Sequence, residues 1–169
     1  MDTLNDIETA LEALPKQLDA KRAEIAKEEF NVEKTQRLVG EEKFGLINLA
    51  NSYRKQVEEL REGIKDEPFE RLEPNAAHVD AWQNWDRLDA DKRQEALHRI
   101  SKGDDPLLAE ALVIKPGLLS SLGEANQKLV LAAVYGGDRV KQIEDNMAAR
   151  EKANRTLRAI TRTIEELRR

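Results

Sequence analysis

Large apolar side chains recur every seven residues through the first third of the chain. The positions at this spacing are Leu4, Leu11, Leu18, Ile25, Val32, Val39, Leu46, Tyr53 and Leu60. A straight α-helix drifts by about 20° per heptad, so a strict seven-residue repeat keeps facing a neighbour only when the helix supercoils around it. The pattern therefore predicts a long helix that packs against at least one other helix.

The second column of this heptad is apolar near its two ends but polar across its middle, at Lys21, Glu28, Thr35 and Glu42. Fixing the backbone of one residue costs about 1–2 kcal/mol, whereas burying one Leu or Ile side chain contributes about 1.5–3 kcal/mol. One apolar residue in seven cannot hold a lone helix. Other helices, from this chain or from another, are expected to cover the repeat.

Pro15 lies inside the repeat. Proline has no backbone N–H to donate and disfavours helical geometry at the residue before it. Because the sevenfold phase passes through Pro15 unchanged, we expect a kink there rather than a loop, followed by one continuous helix over about residues 16–64. Gly40 and Gly45 each weaken such a helix by about 1 kcal/mol, so its weakest part is expected around them.

Between residues 63 and 137 the heptad repeat is lost, and prolines and glycines divide the chain into short segments of helical composition. Local signals predict where these helices start: after Pro74, after the N-cap Asp89, at Pro106 behind an N-cap at Asp104 or Asp105, and at Leu122, behind a capping box of Ser121 and Glu124. Gly103 is expected to end the second of them. This stretch is predicted to be a small multi-helix domain.

From residue 138 a spacing of three and four returns, at Val140, Ile143, Met147, Ala153, Leu157, Ile160, Ile164 and Leu167. The predicted fold class is all-α: a long antiparallel helical hairpin with coiled-coil arms and a small helical domain inserted between them. The N-terminal arm covers residues 1–64, with its kink near Pro15. The small domain covers 65–136, and the C-terminal arm covers 137–169.

The charge distribution supports antiparallel arms. The chain has a net charge of −5, and residues 1–62, 63–136 and 137–169 carry −4, −4 and +3. Oppositely charged flanks favour pairing of the two ends. Charged residues make up 36% of the chain and aromatic residues 4%, a composition typical of long helices.

The sequence contains no cysteine, no apolar run of the roughly 20 residues that a membrane span needs, and an acidic rather than a basic N-terminal segment. A cytoplasmic protein without disulfides is therefore expected.

Few residues offer catalysis or metal binding. Glu95 and His98 have the Glu-x-x-His spacing of half of a carboxylate di-metal site, but such a site needs a second pair, which the sequence lacks. Asp86, Asp89 and Asp91 crowd one turn without the glycine and distal glutamate of a calcium loop. We expect no enzyme activity, no metal and no cofactor.

The predicted N-terminal arm is about 17 residues longer than the C-terminal arm, so its first leucines lack an evident partner in the chain. Folding back of the first segment, a second copy of the protein, or a different protein could each cover them. Aromatic side chains are the other candidate anchors, although packing inside the small domain is the favoured interpretation for the two tryptophans. The residues predicted to contact a partner are Leu4, Ile7, Leu11, Leu14, Leu18, Phe30, Phe44, Trp82 and Trp85.

Four arginines form a stripe on the predicted C-terminal helix, opposite its apolar face: Arg155, Arg158, Arg162 and Arg169. Such a stripe could contact nucleic-acid phosphates or an acidic protein, or it could simply be a solvated helix face. The sequence as a whole predicts a non-enzymatic protein that binds another protein stoichiometrically and self-associates. Assembly chaperone, scaffold, adaptor, particle component and inhibitor all fit this class, and a nucleic-acid-binding accessory protein is the alternative.

Overall fold

The computed structural model of the chain describes residues 3–28, 31–65 and 68–169. Within these residues the protein consists of eight helices and has no strand, which confirms the all-α class. The helices are α1 (Thr3–Glu28), α2 (Val32–Gly63), α3 (Ala76–Arg87), α4 (Ala90–Ser101), α5 (Pro106–Ile114), α6 (Pro116–Ser121), α7 (Glu124–Tyr135) and α8 (Gly137–Arg168). None of the described helices combines the length and the apolar character needed to cross a membrane.

The first sixty residues form two helices, so the expectation of one continuous helix over residues 16–64 is wrong. Helix α1 continues through Pro15 and ends at Glu28. Helix α2 starts behind Asn31, whose side-chain oxygen accepts a hydrogen bond from the Lys34 backbone N–H at 3.0 Å. A new helix begins here because the Asn31 side chain satisfies an N–H that would otherwise be unpaired at the helix start.

Pro15 does not end α1, because apolar side chains on both sides of it are buried. The lost hydrogen bond and the ring clash of an internal proline cost about 3 kcal/mol. Leu11, Leu14 and Leu18 are only 2%, 1% and 4% exposed. Since each buried leucine contributes about 1.5–3 kcal/mol, their burial offsets the cost of the proline.

The chain divides into two compact units. Unit 1 comprises Met1–Lys65 and Asn146–Arg169, and unit 2 comprises Asp66–Asp145. Unit 1 contains α1, α2 and the C-terminal part of α8. Its core is built from all three helices: Ile7, Leu11, Leu14, Leu18, Leu46, Ala50, Val57, Ala153, Ile160, Ile164 and Leu167.

Side-chain hydrogen bonds join α2 to α8 within unit 1. Arg61 donates to the Asn154 side chain at 3.5 Å, and Arg54 donates to the Thr161 hydroxyl at 3.4 Å. Lys43 donates to the Arg168 carbonyl at 2.8 Å. Helix α1 packs on α2 and shares the same core with α2 and α8.

The leucines that were expected to lack a partner within the chain lie in this core. Ile7, Leu11, Leu14 and Leu18 are buried, and Leu4 is half-buried against them. The expectation that they have no partner within the chain is wrong, because residues of α1, α2 and α8 together form one core. Of the three ways to cover these leucines, folding back within the chain is the one that the structure shows.

Unit 2 packs its helices around Trp85, Ala96, Leu97, Ile100, Leu108, Ala109, Leu112 and Val130. Its helix ends follow the local signals of the sequence. The side chain of Asp89 accepts from the Lys92 N–H at 2.9 Å, and that of Asp105 accepts from the Leu108 N–H at 3.2 Å. Gly103 has a φ of +81°, which favours glycine at this position after α4.

One helix of unit 2 was not expected, and one predicted cap does not form. Pro116 starts the short helix α6 as well as ending α5, which suits the preset φ of proline at a first helical position. The Ser121 hydroxyl donates to the Leu118 carbonyl at 2.6 Å instead of capping the next helix. Helix α7 begins only at Glu124, behind Gly123 and without a side-chain cap.

Candidate partner-binding surfaces

The aromatic residues predicted as anchors have different environments. Phe30 lies outside the described residues. Phe44 on α2 is 65% exposed. Trp85 is only 2% exposed and belongs to the core of unit 2, with the Arg93 guanidinium 5.4 Å from its ring centre. Trp82 is half-buried, and its indole N–H donates to the Ala111 carbonyl.

A groove on unit 2, named here the α3–α5 groove, has a volume of about 380 Å³. The buried and half-buried apolar residues of the lining form its floor: Ala81, Trp85, Leu88 and Leu108. The remaining lining residues form its rim: Ala77, Asp80, Asn84, Arg99, Asp105 and Leu107. Leu107 is 41% exposed, so apolar surface reaches from the floor to the outside.

The rim of the α3–α5 groove carries net negative charge. The Asp105 carboxylate caps α5 and also forms an ion pair with Arg99 at 3.4 Å. Those two charges compensate each other. Asp80 is exposed, and no ion pair joins it to another residue in the described part of the chain. A ligand that enters this groove therefore meets an apolar floor and one uncompensated carboxylate.

The four arginines of the predicted stripe are all exposed on α8. They lie opposite the buried residues Ala153, Ile160, Ile164 and Leu167. Arg155 is 4.0 Å from the Glu151 carboxylate, and no carboxylate among the described residues forms an ion pair with Arg158, Arg162 or Arg169. Three basic side chains of α2 donate hydrogen bonds to α8 and extend this basic surface: Lys43, Arg54 and Arg61.

A second groove, named here the α1–α8 groove, lies between these two helices in unit 1 and has a volume of about 540 Å³. Leu11, Pro15, Ala159 and Thr163 line it, and Glu8, Glu12, Lys16 and Glu166 surround it. The Thr156 hydroxyl donates to the Glu8 carboxylate at 2.7 Å. Three carboxylates and one ammonium leave this groove acidic, on the helix that carries the arginine stripe.

The residues considered for metal binding have structural roles or lie apart. Asp89 caps α4, and Asp86 forms an ion pair with Lys115 at 3.7 Å. Glu95 and His98 are both exposed on α4. Over residues 3–28, 31–65 and 68–169, no three His, Cys, Asp or Glu side chains are grouped so that they could hold a metal ion.

The other histidine is a buried structural residue. His78 Nδ1 accepts from the Asn75 backbone N–H at 3.1 Å, which completes the capping box of α3. The proton therefore lies on Nε2, which donates to the Glu110 carboxylate at 3.2 Å. These bonds join the start of α3 to α5, beside the α3–α5 groove.

Two groups of unit 2 outside the grooves have a raised pKa. Burial raises the pKa of Tyr135, and the negative charge of Glu70 raises it further. The Tyr135 hydroxyl donates to the Glu70 carbonyl at 2.8 Å. Hydrogen bonds to Glu144 and then to Glu124 raise the pKa of Lys128. Both contacts hold α7, one to the segment before α3 and one to α8.

Sequence patterns did not predict the two grooves. Their only local signals are small residues on a helix face: Ala77 and Ala81, four apart on α3, and Ala159 on α8. These residues become informative once a neighbouring helix is placed beside them.

The chain matches no protein-family model, no curated protein and no solved structure.

Proposed function

We propose that this chain is a non-enzymatic protein that binds another protein stoichiometrically, as an assembly chaperone, scaffold, adaptor, particle component or inhibitor does. The α3–α5 groove is the observation that carries the proposal. The partner would insert an apolar side chain over Ala81 and Leu108 and place a basic group near Asp80. We also propose a cytoplasmic location, which rests on the sequence alone.

The chemistry of the groove favours a protein segment over a small polar molecule. Small-molecule sites combine an apolar lining with several convergent polar groups. Here Arg99 and Asp105 pair with each other, which leaves Asp80 and Asn84 as the polar groups available on the rim. An amphipathic helix needs few polar groups in its binding site, because apolar side chains inserted in a groove supply most of its binding free energy.

We further propose that α2 and α8 form the antiparallel coiled-coil hairpin predicted from the sequence, with the small helical domain inserted between its arms. The hydrogen-bond register supports this arrangement. One heptad along α2, from Arg54 to Arg61, corresponds to one heptad back along α8, from Thr161 to Asn154. Equal heptad steps on two helices are typical of coiled-coil packing.

Replacing Leu107 by lysine tests the proposed binding site. The change puts a charge at the apolar edge of the groove, and we expect it to reduce capture of the partner at least tenfold, because an unpaired charge at an interface is strongly unfavourable. The tagged full chain would be used to capture partners from a lysate of its native source. The captured protein would then be purified and titrated calorimetrically to obtain stoichiometry and affinity.

Leu60→Lys is the matched control, because Leu60 is 42% exposed and Leu107 is 41% exposed, and Leu60 lies in unit 1. Binding at the α3–α5 groove predicts loss with Leu107→Lys and normal one-to-one binding with Leu60→Lys. Equal binding by both variants, or the absence of any stoichiometric partner, would contradict the proposal.

A second function, binding of nucleic acid, is supported by the exposure of all four stripe arginines together with the bordering Lys43, Arg54 and Arg61. Phosphate contacts release counterions, so the affinity would fall steeply as salt rises. We expect the triple change of Arg155, Arg158 and Arg162 to glutamate to abolish a mobility shift of labelled RNA or DNA at low salt. A wild-type protein that shifts neither probe would remove this function.

A further inference from the structure

Four residues of α8 in unit 1 form an outer stripe: Arg155, Ala159, Arg162 and Glu166. Their spacing of four, three and four places them on one face of the helix, next to the α1–α8 groove. The three charged residues are exposed, and Ala159 is half-buried at the groove. The spacing is that of a coiled-coil seam, although the stripe has only one small apolar residue at its centre.

The outer stripe carries arginines at positions 155 and 162 and a glutamate at position 166. Arg155 and Glu166 lie eleven residues apart, about 16 Å at 1.5 Å per residue. Arg162 and Glu166, although four residues apart, form no ion pair in the described structure, and neither does Glu12 on the other side of the groove. The stripe thus has an arginine at one end, Ala159 and Arg162 at its centre, and a glutamate at the other end.

We propose that a second copy of this chain covers the outer stripe, by antiparallel pairing of two α8 helices about a twofold axis between Ala159 and Arg162. A twofold axis reverses the stripe, so Arg155 faces Glu166 of the partner subunit and Glu166 faces Arg155 of the partner subunit. Two attractive pairs form at once. Parallel pairing would instead place arginine against arginine.

The centre of the stripe suits the same pairing. The twofold axis puts Arg162 of each copy over Ala159 of the partner subunit, and a small side chain there leaves room for the aliphatic part of an arginine. The guanidinium then reaches the acidic α1–α8 groove, where Glu12 is available. This contact lies in unit 1 and is separate from the α3–α5 groove of the proposed function.

The pairing is expected to be short and salt-sensitive. Beyond the stripe, Lys152 would face Arg169 of the partner subunit, and these like charges confine the contact to its centre. Exposed ion pairs contribute little individually and are screened by salt. We therefore expect association at about 50 mM salt that is lost at about 500 mM.

Charge reversal tests the pairing by sedimentation of the full chain. Arg155→Glu and Glu166→Arg each turn two attractive pairs into two repulsive pairs, so each variant is expected to lower the association constant about tenfold. An equimolar mixture of the two variants restores both pairs in a heterodimer. Its association constant is expected to return to that of the wild type.

Arg158→Glu and Glu165→Arg are the controls, because both residues are exposed on α8 but lie outside the outer stripe. Both variants are expected to associate like the wild type. Leu107→Lys is also expected to associate like the wild type, because Leu107 lies outside the outer stripe. A failure of the proposed function would therefore leave this inference unchanged. A strict monomer at low salt, a mixture no better than its components, or equal losses with Arg158→Glu would each overturn the pairing. All samples must be free of nucleic acid by absorbance, since nucleic acid would compete for Arg155 and Arg162.

Discussion

Replacing Leu14 by alanine is expected to lower the free energy of unfolding by about 2–5 kcal/mol. Leu14 is 1% exposed in the three-helix core of unit 1, so truncation removes apolar burial and leaves a cavity that packed helices fill only in part. Urea unfolding followed by far-ultraviolet circular dichroism measures the change. This is the prediction that separates a core residue from a partner contact.

Leu49→Ala provides the comparison, since Leu49 lies on α2 of the same unit and is 39% exposed. Its expected loss is below about 1 kcal/mol, because less apolar surface returns to water. If Leu14 instead contacted another protein in solution, Leu14→Ala would leave the unfolding free energy close to that of Leu49→Ala and would weaken association.

Replacing Trp85 by alanine is expected to destabilise unit 2 by about 3–5 kcal/mol. Trp85 is 2% exposed, joins the core of unit 2, and has the Arg93 guanidinium against its ring. Loss of a large buried ring produces both a cavity and lost apolar transfer free energy. Chemical unfolding can be followed through the fluorescence of Trp82, the tryptophan that remains.

Trp82→Ala distinguishes the two tryptophans. Trp82 is half-buried, and its main polar contact is the hydrogen bond to the Ala111 carbonyl. We expect a loss of about 1–2 kcal/mol, made up of that hydrogen bond and partial burial. Similar losses for the two variants would show that Trp82 and Trp85 are equally part of the core, contrary to the structure.

Helix ends in unit 2 could be predicted because their signals are local. The caps of Asp89 and Asp105 and the positive φ of Gly103 depend on residues within about one turn. Ser121 shows where such reasoning failed. Its spacing to Glu124 fits a capping box, yet Pro116 starts a short helix that uses Ser121 at its end.

The division of the first sixty residues into α1 and α2 could not be predicted from the heptad repeat. The seven-residue spacing continues in phase from α1 into α2. Leu11, Leu18 and Leu46 of this repeat lie in one core, whereas Val32 and Leu60 are 70% and 42% exposed. Two successive helices whose repeats are in phase give the same sequence pattern as one continuous helix. Asn31, a good N-cap, was the available local signal.

The sequence by itself determined the helical class of this protein, most helix ends in unit 2 and the exposed arginine stripe, because helical periodicity and capping act between residues close in the chain. Only the tertiary structure decided what covers the N-terminal leucines and where the grooves lie. A heptad repeat is satisfied equally by a helix of the same chain, of a second copy or of another protein. Which of these packs against it depends on how α1, α2 and α8 are placed in space, and a groove exists only once two helices lie side by side.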